Sequence, residues 1–384
     1  MNYRYYLPTD ILFGPGVLDR LHEKRLPGRH ALVVTTAGKS VKRLGYLDRL
    51  CRELTLSGVS YTLYDKVCPN PTRDNVMEGA ALARQAGCDF LVALGGGSAI
   101  DAAKGMAVMA VNDGDCWDYV RDGSGKGLPL GEKPLPLIAV PTTAGTGSEA
   151  DAGCVISYPE RKEKVSFGTP WSFPAISVVD PELMCSVPPR LTAYQGFDVL
   201  FHVVECYISR AATPLSDLIC LDAVRRVVRF LPRAVAQGDD REARTEMAWA
   251  STEAGMCLTH SSLTAQHSLE HSLSGFYPEL THGAGLILIS RAYLRRCAGQ
   301  EAYRERMTAL AQAMGAEPSP QGVLDALEKL MTRCGVADLR MSQFGITRES
   351  LGAVAEKSVD RRYANERAPL SQEEAQAILE QSYA

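Results

Sequence analysis

Short apolar runs alternate with amphipathic stretches along the first half of the chain. Strands alternating with helices are typical of a parallel sheet covered on both faces. We therefore predict a doubly wound, Rossmann-like α/β domain. The runs ALVVTT, VSYTLYDKV, FLVALGGG and PLIAVPTT predict strands at 31–36, 59–67, 90–97 and 136–143. Helical patterns lie between them at 41–54, 75–87 and 98–111.

The pattern changes after Pro188 and Pro189. Long amphipathic stretches with helical periodicity follow, which predicts an all-α domain. The predicted boundary divides the chain into 1–187 and 188–384, with a ligand-binding cleft between the two domains. The predicted helical stretches are 191–211, 214–237, 241–273, 283–297, 301–314, 319–334 and 372–382.

Composition and charge narrow the class of protein. The 384 residues carry a net charge of −4 and no basic run, so we expect neither nucleic acid nor an anionic membrane surface as a partner. The start, MNYRYYLPTDILFG, lacks the pattern of a signal peptide, and no stretch has the roughly 20 apolar residues of a membrane span. Eleven scattered cysteines without C-x-x-C favour free thiols in a reducing compartment, and hence a cytoplasmic protein.

Glycines follow the third predicted strand, in LVALGGGSAIDAAK. Gly96 and Gly97 allow close approach of a phosphate, and the helix that follows offers free N–H groups. We expect Ser98 to cap this helix and Asp101 to complete a capping pattern. A plain tight turn is the alternative, because Ile100 stands where the G-x-G-x-x-G fingerprint needs glycine.

A second loop of small polar residues follows the fourth predicted strand, in PTTAGTGSEAD. Its hydroxyl groups suit a phosphate, ribose or amide, although a flexible loop without a ligand is an equal alternative. Its pairing with the glycine loop favours a dinucleotide. The hydroxyl groups belong to Thr142, Thr143, Thr146 and Ser148.

The stretch TTAGKSVK follows the first predicted strand, where the adenosine ribose of a dinucleotide binds. It is not a Walker A motif, because Val33 stands where that motif needs glycine. Gly38 and Ser40 leave room, and Lys42 and Arg43 add positive charge. No acidic residue is present to repel a 2′-phosphate, which favours NADP(H) over NAD(H).

Five of the seven histidines lie between 202 and 282. Asp198 and His202 are four residues apart on one predicted helix, in GFDVLFHVVECYIS, and His267 and His271 are four apart in QHSLEHSLSGFYPELTHGAG. A buried aspartate in an apolar helix needs a partner or a metal. One carboxylate with several imidazoles suits Fe²⁺ or Zn²⁺. We predict a metal site at Asp198, His202, His267 and His282.

Two alternatives remain for this histidine-rich region. His260 is expected to be an ordinary hydrogen-bonded side chain. The segment from His267 to His271 matches H-x-x-E-H, a pattern of one class of zinc peptidase, in which Glu270 is the general base. That hypothesis leaves both phosphate-type loops without a role.

The loops and the histidine cluster together resemble the iron-dependent, group III alcohol dehydrogenases. The resemblance covers nearly the whole chain and includes ILFGPGVLDRL, PNPTRDNV, GGGSAIDAAK, PTTAGTGSEAD, VVDPELM, GFDVLFHVVECYIS and QHSLEHSLSGFYPELTHGAG. It implies a dehydroquinate synthase-like architecture and a metal-dependent, NAD(P)-linked interconversion of small alcohols and aldehydes. Homo-oligomers are common in the family, so the resemblance also implies a dimer or larger assembly.

The resemblance also implies roles for single residues. It implies the same four metal ligands and places His271 beside the nicotinamide and the substrate, as a possible proton relay. The implied cofactor contacts are Asn70, Gly96, Gly97, Ser98, Asp101, Thr142, Thr143, Thr146, Ser148 and Lys164.

The chain departs from the family pattern near the active site. Ser272 follows His271 where many members have proline, and Gly38 stands where NAD-preferring members often have aspartate. The loop from Phe276 to His282 is one residue longer than in some branches. Ser272 and the longer loop leave the identity of the substrate open. Glycerol dehydrogenase and dehydroquinate synthase, which share the fold, remain as alternatives.

Overall fold

The computed structural model describes residues 3–383. Six parallel strands form one sheet within these residues, in the order β1-β8-β5-β4-β2-β3. The strands of this sheet are β1 Asp10–Phe13, β2 His30–Thr36, β3 Ser60–Val67, β4 Phe90–Gly95, β5 Leu137–Pro141 and β8 Ile176–Val179. The predicted Rossmann-like sheet is confirmed, although the sequence pattern did not predict the short strands β1 and β8.

Helices cover both faces of the sheet. The helices of this half are α1 Ser40–Arg43, α2 Tyr46–Leu56, α3 Arg73–Ala86, α4 Gly97–Met109 and α5 Cys116–Tyr119. Ala31 and Val33 of β2 pack with α2, whereas Leu32 and Val34 pack with α3 and α4. Side chains of a strand alternate between faces, so a strand covered on both sides is apolar throughout. This explains the unbroken run ALVVTT.

The strand order reverses next to β2. The chain adds β3 on one side of β2 and then crosses over to place β4 on the other side. The loops after β2 and β4 therefore diverge at the carboxyl edge of the sheet. In open α/β sheets, ligands bind in the crevice at such a switch point.

A two-stranded antiparallel hairpin interrupts the α/β pattern. It consists of β6 Gly153–Tyr158 and β7 Glu163–Gly168. The sequence pattern did not predict it, because its strands are half exposed and neither is a continuous apolar run. The hairpin brings Lys164 of β7 against α9 Ala265–Phe276 of the second half.

The second half is helical, as predicted. One large apolar core joins its long helices, and α6 is buried on nearly all sides over its last turns. No helix among residues 3–383 has the length and apolar character of a membrane span. Besides α9, the helices are α6 Pro189–Ile208, α7 Pro214–Ala236, α8 Arg241–His260, α10 His282–Ala298, α11 Arg304–Ala313, α12 Pro320–Arg333, α13 Leu351–Ser358 and α14 Gln372–Gln381.

Two predicted helical stretches are divided in the structure. The stretch 241–273 is two helices, because α8 ends at His260 and α9 begins at Ala265. The stretch 41–54 is divided at Gly45, whose φ of 73° is a left-handed conformation that ends α1. The break after α8 matters for function, since it turns α9 so that its histidines face α6.

Candidate functional site

A cavity of about 930 Å³ lies between the carboxyl edge of the sheet and the helical half. Residues of both halves line it, as the predicted cleft requires. The predicted cofactor residues on its walls are Asn70, Gly97, Ser98, Asp101, Thr146, Ser148 and Lys164. The predicted metal and catalytic residues on its walls are His202, His267, His271 and His282.

The predicted metal ligands meet below this cavity. Nε2 of His267 lies 3.7 Å from Oδ1 of Asp198, and Nε2 of His282 lies 3.5 Å from the same oxygen. These three residues present ligand atoms within 4.8 Å of one another. His202 stands beside them: its ring centroid is 4.3 Å from that of His267, and its Nδ1 is 2.8 Å from the Asp198 carbonyl oxygen. The structure thus brings all four together, with His202 at the edge.

The cluster contains polar atoms that lack a partner. Oδ1 of Asp198 and Nε2 of His267 are buried and accept or donate no hydrogen bond among the described residues; Nδ1 of His202 lies 3.1 Å from this oxygen but donates to the Asp198 carbonyl oxygen instead. Buried polar atoms without partners are rare in folded proteins and call for an explanation. Both atoms are ligand types that divalent transition metals accept, and they face each other. The donor set therefore fits a bound divalent metal ion.

Glu205 fixes the orientation of His267. Its Oε1 binds Nδ1 of His267, and its Oε2 accepts from the backbone N–H and the hydroxyl group of Thr264, both at 3.0 Å. Thr264 precedes the first residue of α9, so a carboxylate of α6 caps that helix. With its Nδ1 held by a carboxylate, His267 directs Nε2 towards Asp198, as metal-binding histidines do.

Glu270 does the same for His282. Its Oε2 binds Nδ1 of His282 and lies 3.3 Å from Nζ of Lys164, and Ser274 donates to Oε1 at 2.5 Å. Burial by itself would raise the pKa of Glu270, but the neighbouring His282 and Lys164 outweigh it and lower the pKa to about 2. The carboxylate is thus ionised and engaged on all sides.

The charges around the cluster favour a cation. Three buried carboxyl groups, on Asp198, Glu205 and Glu270, surround the imidazole rings, and only that of Glu270 pairs with a lysine, Lys164, among the described residues. Burial alone would lower the pKa of His267, but Glu205 and Asp198 outweigh it and raise the pKa to about 9. The field that attracts a proton to this imidazole would attract a metal ion instead when one is present.

The same contacts exclude the peptidase hypothesis. A general base needs a carboxylate that faces the metal-bound water, but Glu270 is fully buried and held by His282, Lys164 and Ser274. The H-x-x-E-H match arises because three residues with separate roles lie close together on α9. His267 is a predicted metal ligand, Glu270 binds Nδ1 of His282, and His271 lies on the cavity wall.

His271 reaches the cavity wall between the cluster and a buried arginine. Nη1 of Arg362 lies 3.2 Å from Nδ1 of His271, and the ring of His271 is 5.5 Å from that of His282. Burial, together with the charge of Arg362, holds the pKa of His271 well below its usual range. The imidazole is therefore neutral. Its Nδ1 accepts from the guanidinium group, which leaves the proton on Nε2.

The two loops at the sheet edge contact each other closely. A Cβ added at Gly96 would lie 2.9 Å from Oγ1 of Thr143, and one at Gly97 would lie 2.5 Å from Cγ2 of Thr146. Only glycine fits at both positions. The prediction that Ser98 caps α4 is wrong, because the helix begins at Gly97 and Gly96 is the capping position. The capping pattern for Asp101 is wrong for the same reason.

Asp101 instead holds the second loop. It accepts from the Ser148 hydroxyl group at 2.7 Å and from the Val155 N–H at 2.9 Å. Lys104, one turn further along α4, donates to Ser148 at 2.8 Å and to Asp151 at 2.9 Å. Burial raises the pKa of Asp101 to about 6. These contacts fix the loop 142–151 beside the glycine loop.

The second loop also reaches the metal cluster. A Cβ added at Gly145 would lie 3.3 Å from Oδ2 of Asp198. The same loop therefore contacts the glycine loop at one end and the aspartate of the cluster at the other. A ligand bound along this loop would extend from the sheet edge to the histidines.

Five predicted cofactor residues are not on the cavity wall: Gly38, Ser40, Gly96, Thr142 and Thr143. Gly38 lies in the loop after β2, on the other side of the switch point from Gly96, and Ser40 begins α1. Lys42 forms an ion pair with Asp65 at the end of β3. Its charge is therefore partly balanced, which weakens the argument from charge for a 2′-phosphate.

Asn70 connects the two halves of the molecule. Its φ of 52° is a left-handed conformation, and its Nδ2 donates to the Pro278 carbonyl oxygen at 3.1 Å.

His260 lies on the cavity wall, where its ring stacks on Tyr5 with centroids 4.0 Å apart, and its Nε2 has no partner among residues 3–383.

Three residues that contact the site, Glu205, Lys104 and Arg362, could not be assigned a role from the sequence. Glu205 has a sequence signal, because Asp198, His202 and Glu205 lie at i, i+4 and i+7 on one face of an apolar helix. Lys104 ends the motif GGGSAIDAAK, but nothing in the motif indicates its partners, and Arg362 lies in a short 3₁₀ turn, Arg361–Asn365, far along the chain. Their roles depend on tertiary packing.

Comparisons with known proteins identify the same chemistry. The iron-containing alcohol dehydrogenase family matches residues 8–181, and the C-terminal family of Fe-containing alcohol dehydrogenases matches 192–383. A 1,3-propanediol dehydrogenase of Klebsiella pneumoniae is 36% identical over 337 residues, which are 86% of this chain and 84% of the relative. An NAD-dependent methanol dehydrogenase of Bacillus methanolicus is 35% identical over 282 residues, 73% of this chain and 72% of the relative.

A solved structure agrees over the whole length. An archaeal halo-thermophilic alcohol dehydrogenase from a Red Sea brine pool, solved with NZQ bound, superposes with a TM-score of 0.94 at 35% identity and covers 100% of this chain and 99% of its own. Together with the site geometry, these matches establish the kind of enzyme. The chain belongs to the iron-containing alcohol dehydrogenase family and is a metal-dependent, nicotinamide-linked oxidoreductase of alcohols and aldehydes.

Proposed function

We propose that this enzyme interconverts a small primary alcohol and its aldehyde at the histidine cluster. One observation carries the proposal: a single cavity extends from the glycine loop to the histidines, with Gly97 and His267 both on its wall. A dinucleotide on the loop and a substrate at the cluster would then meet inside it, which hydride transfer requires.

Asp198, His202, His267 and His282 are the proposed metal ligands. The atoms of Asp198 and His267 that lack partners support this set, as do the carboxylates that hold Nδ1 of His267 and His282. A bound Fe²⁺ or Zn²⁺ would act as a Lewis acid on the substrate oxygen. Glu205 and Glu270 keep two imidazole rings oriented, and the cluster is closed to water from below by the core of α6.

The proposed cofactor site lies along the two loops. Gly96, Gly97 and Ser98 would receive the pyrophosphate at the N-terminus of α4, where unpaired N–H groups and the helix dipole favour an anion. The further proposed contacts are Gly38, Ser40, Asn70, Asp101, Thr142, Thr143, Thr146, Ser148 and Lys164. Of these, Asp101 and Ser148 also hold the loop in place, so their loss would affect both binding and loop geometry.

The preference between NADP(H) and NAD(H) and the identity of the metal ion are more specific proposals. Gly38 leaves room for a 2′-phosphate, and Lys39 and Arg43 lie near it in sequence. We therefore keep NADP(H) as the preferred cofactor, although the Lys42–Asp65 ion pair makes the preference small. The ligand types accept Fe²⁺ and Zn²⁺ alike. The family supports Fe²⁺.

His271 is the proposed group beside the nicotinamide and the substrate. It lies on the cavity wall and is not needed to complete the ligand set. Its Nε2–H can donate a hydrogen bond to a substrate oxygen, and Arg362 holds the ring through Nδ1. The lowered pKa of His271 does not favour the proton relay that the sequence predicts, so we propose that His271 orients the substrate through this hydrogen bond.

The domain boundary, the cellular location and the oligomeric state of the enzyme are also proposals. A boundary at 187/188 would place both loops in one domain and all four ligands in the other. We propose a cytoplasmic homo-oligomer, on the cysteine content and the family resemblance. All eleven cysteines are free in the structure, which is compatible with a reducing compartment.

The test is oxidation of NADPH and NADH with a panel of C2–C4 aldehydes, after chelation and return of Fe²⁺ or Zn²⁺ under anaerobic conditions. We expect turnover only with metal restored. His267→Ala should lose both metal and turnover, whereas His271→Ala should keep the metal and lose rate. Normal turnover and full metal occupancy in His267→Ala would overturn the ligand assignment, and loss of metal in His271→Ala would overturn the division of roles.

A further inference from the structure

A buried arginine forms part of the cavity wall near the metal cluster. Arg362 is only 6% exposed, and it lines the cavity together with His271 and Asn365. No motif in the sequence indicates a role for it. A guanidinium group is always charged and is rarely buried without partners, so its contacts indicate what it is for.

The protein satisfies only one edge of this guanidinium group. Nη1 donates to Nδ1 of His271 at 3.2 Å and lies 3.3 Å from Oδ2 of Asp360. Nε and Nη2 have no acceptor among residues 3–383, and neither atom is completely buried. These two donors form the side-on fork that binds a carboxylate with two parallel hydrogen bonds.

The nearby carboxylate does not occupy this fork. Oδ1 of Asp360 already accepts from the Ser268 hydroxyl group and from the Arg362 backbone N–H, both at 2.8 Å. The neighbouring Arg361 also lines the cavity, but its Nε pairs with Asp122 at 3.3 Å and its side chain is 54% exposed, so water can solvate its remaining donors. Arg362 is therefore the buried arginine with free donors at this end of the cavity.

Apolar side chains also line this cavity. Leu258 and Leu263 are apolar, and the amide of Asn365 is engaged with the Ser262 hydroxyl group at 2.9 Å. The cofactor phosphates have their proposed place on the other domain, at the N-terminus of α4. An anion at Arg362 would thus be part of the substrate.

We propose that the substrate of this enzyme is a short aldehyde that carries a carboxylate, and that the side-on fork of Arg362 binds this carboxylate. The inference rests on the proposed function and names its substrate class. In the reduction, the nicotinamide gives a hydride to the aldehyde carbon and a proton goes to the oxygen. The products are a hydroxy acid anion and oxidised cofactor. Arg362 acts through binding and takes no part in the proton or hydride transfer.

The experiment compares matched pairs of aldehydes with the metal-loaded enzyme. Succinic semialdehyde is paired with butanal, and glyoxylate with acetaldehyde, so that each pair differs mainly in the carboxylate. The variants are Arg362→Gln, which removes charge and fork, and Arg362→Lys, which keeps the charge alone. Arg333→Gln, which removes a charge on the exposed face of α12, is the control. Binding of succinate to the metal-loaded enzyme with oxidised cofactor, measured by calorimetry, gives a readout without turnover.

We expect the wild type to prefer the carboxylate member of at least one pair. Arg362→Gln should lower kcat/KM for that aldehyde about tenfold to a hundredfold, mainly through KM, and should weaken succinate binding to a similar degree. The kcat/KM and the succinate affinity of Arg362→Lys should lie between those of the wild type and those of Arg362→Gln, because an ammonium group cannot form two parallel hydrogen bonds with a carboxylate. The KM for the nicotinamide cofactor should stay within about twofold.

Other outcomes overturn the inference. An equal loss for charged and uncharged aldehydes, or a raised cofactor KM, would assign Arg362 to the nicotinamide or to His271. A wild type that reduces butanal as well as succinic semialdehyde, with unchanged succinate binding in Arg362→Gln, would refute the substrate class while the proposed function stands. No turnover of any aldehyde, with metal bound, would refute the proposed function, and the succinate measurement would still decide whether Arg362 binds a carboxylate.

Discussion

At the residue scale, the site depends on carboxylates that touch no substrate. Glu205 and Glu270 each hold Nδ1 of one histidine, so that the opposite nitrogen points at Asp198. The histidines could be predicted from their spacing and from the family resemblance. The carboxylates behind them could not be assigned, because a glutamate in a helix has many possible partners until the helices are packed.

Glu205→Gln tests the orienting role. The amide oxygen can still accept from Thr264, but the charge that holds the Nδ1 proton of His267 is lost. We expect metal affinity to fall about tenfold to a hundredfold, measured by competition with a chelator. Glu301→Gln, on an exposed side chain, is the control and should match the wild type. Wild-type affinity in Glu205→Gln would show that Glu205 serves α9 alone.

Glu149 provides a residue-scale prediction for stability. Burial raises its pKa to about 7 from a usual value of 4.5, and the Thr252 hydroxyl group donates to its Oε1 at 2.8 Å. The folded state therefore holds this proton more tightly than the unfolded state. The resulting stabilisation is complete below about pH 4.5 and is lost as the pH rises through about 7.

Glu149→Gln stays neutral at every pH and keeps an acceptor for Thr252. We expect the variant to gain stability over the wild type between pH 5 and pH 8, by roughly 1 to 3 kcal/mol. Melting temperatures across this range measure the effect, with Glu160→Gln on the surface as the control. A constant difference between Glu149→Gln and the wild type from pH 5 to pH 8 would refute the raised pKa.

At the scale of elements, close packing of α6, α9 and α10 assembles the cluster. The helical character of the second half could be predicted, since its apolar periodicity is strong. The break between α8 and α9 could not, because SSLT at 261–264 contains neither glycine nor proline. Two carboxylates from elsewhere cap α9, Glu205 and Glu366, so the signal for its start lies outside the segment.

Gly283 sets the distance between α10 and α6. A Cβ added there would lie 2.1 Å from the Tyr194 carbonyl oxygen, a backbone atom that cannot turn away. We expect Gly283→Ala to push α10 outwards and carry the neighbouring His282 away from Asp198. The expected result is about 1 to 3 kcal/mol lower stability, measured by denaturant unfolding, together with weaker metal binding.

Gly299→Ala is the matched control at the other end of α10. A Cβ at Gly299 would lie 3.5 Å from its nearest neighbour, and its φ of −78° suits any residue. Its effect should stay within about 0.5 kcal/mol, with metal binding unchanged. Equal effects of the two substitutions would show that helix separation at Gly283 does not position His282.

At the scale of the whole molecule, the enzyme is a sheet edge facing a helical bundle. The parallel sheet, the helical half and the cleft could be predicted from patterns along the chain. The hairpin β6–β7 could not, and it matters because it carries Lys164 across the cleft to Glu270. Sequence order gives no sign that these residues meet, since 106 positions separate them.

One loop lies between the proposed cofactor site and the proposed metal site. The loop 142–151 contacts the glycine loop through Thr143 and Thr146 and approaches Asp198 through Gly145. One segment thus connects the proposed dinucleotide site with the proposed metal site. Lys104 and Asp101 hydrogen-bond to this loop through Asp151 and Ser148.

The proposed metal ligands are Asp198, His202, His267 and His282. The most direct measurement is a crystal structure of the iron-loaded enzyme with an anomalous difference map at the iron edge. We predict one strong peak bound by Oδ of Asp198 and by Nε2 of the three histidines, at about 2.0–2.2 Å. A second group, Glu270, His271 and His282, also presents ligand atoms within 4.8 Å of one another. A peak at that group, or no peak in the cavity of an iron-loaded and active enzyme, would show that these four residues do not hold the metal.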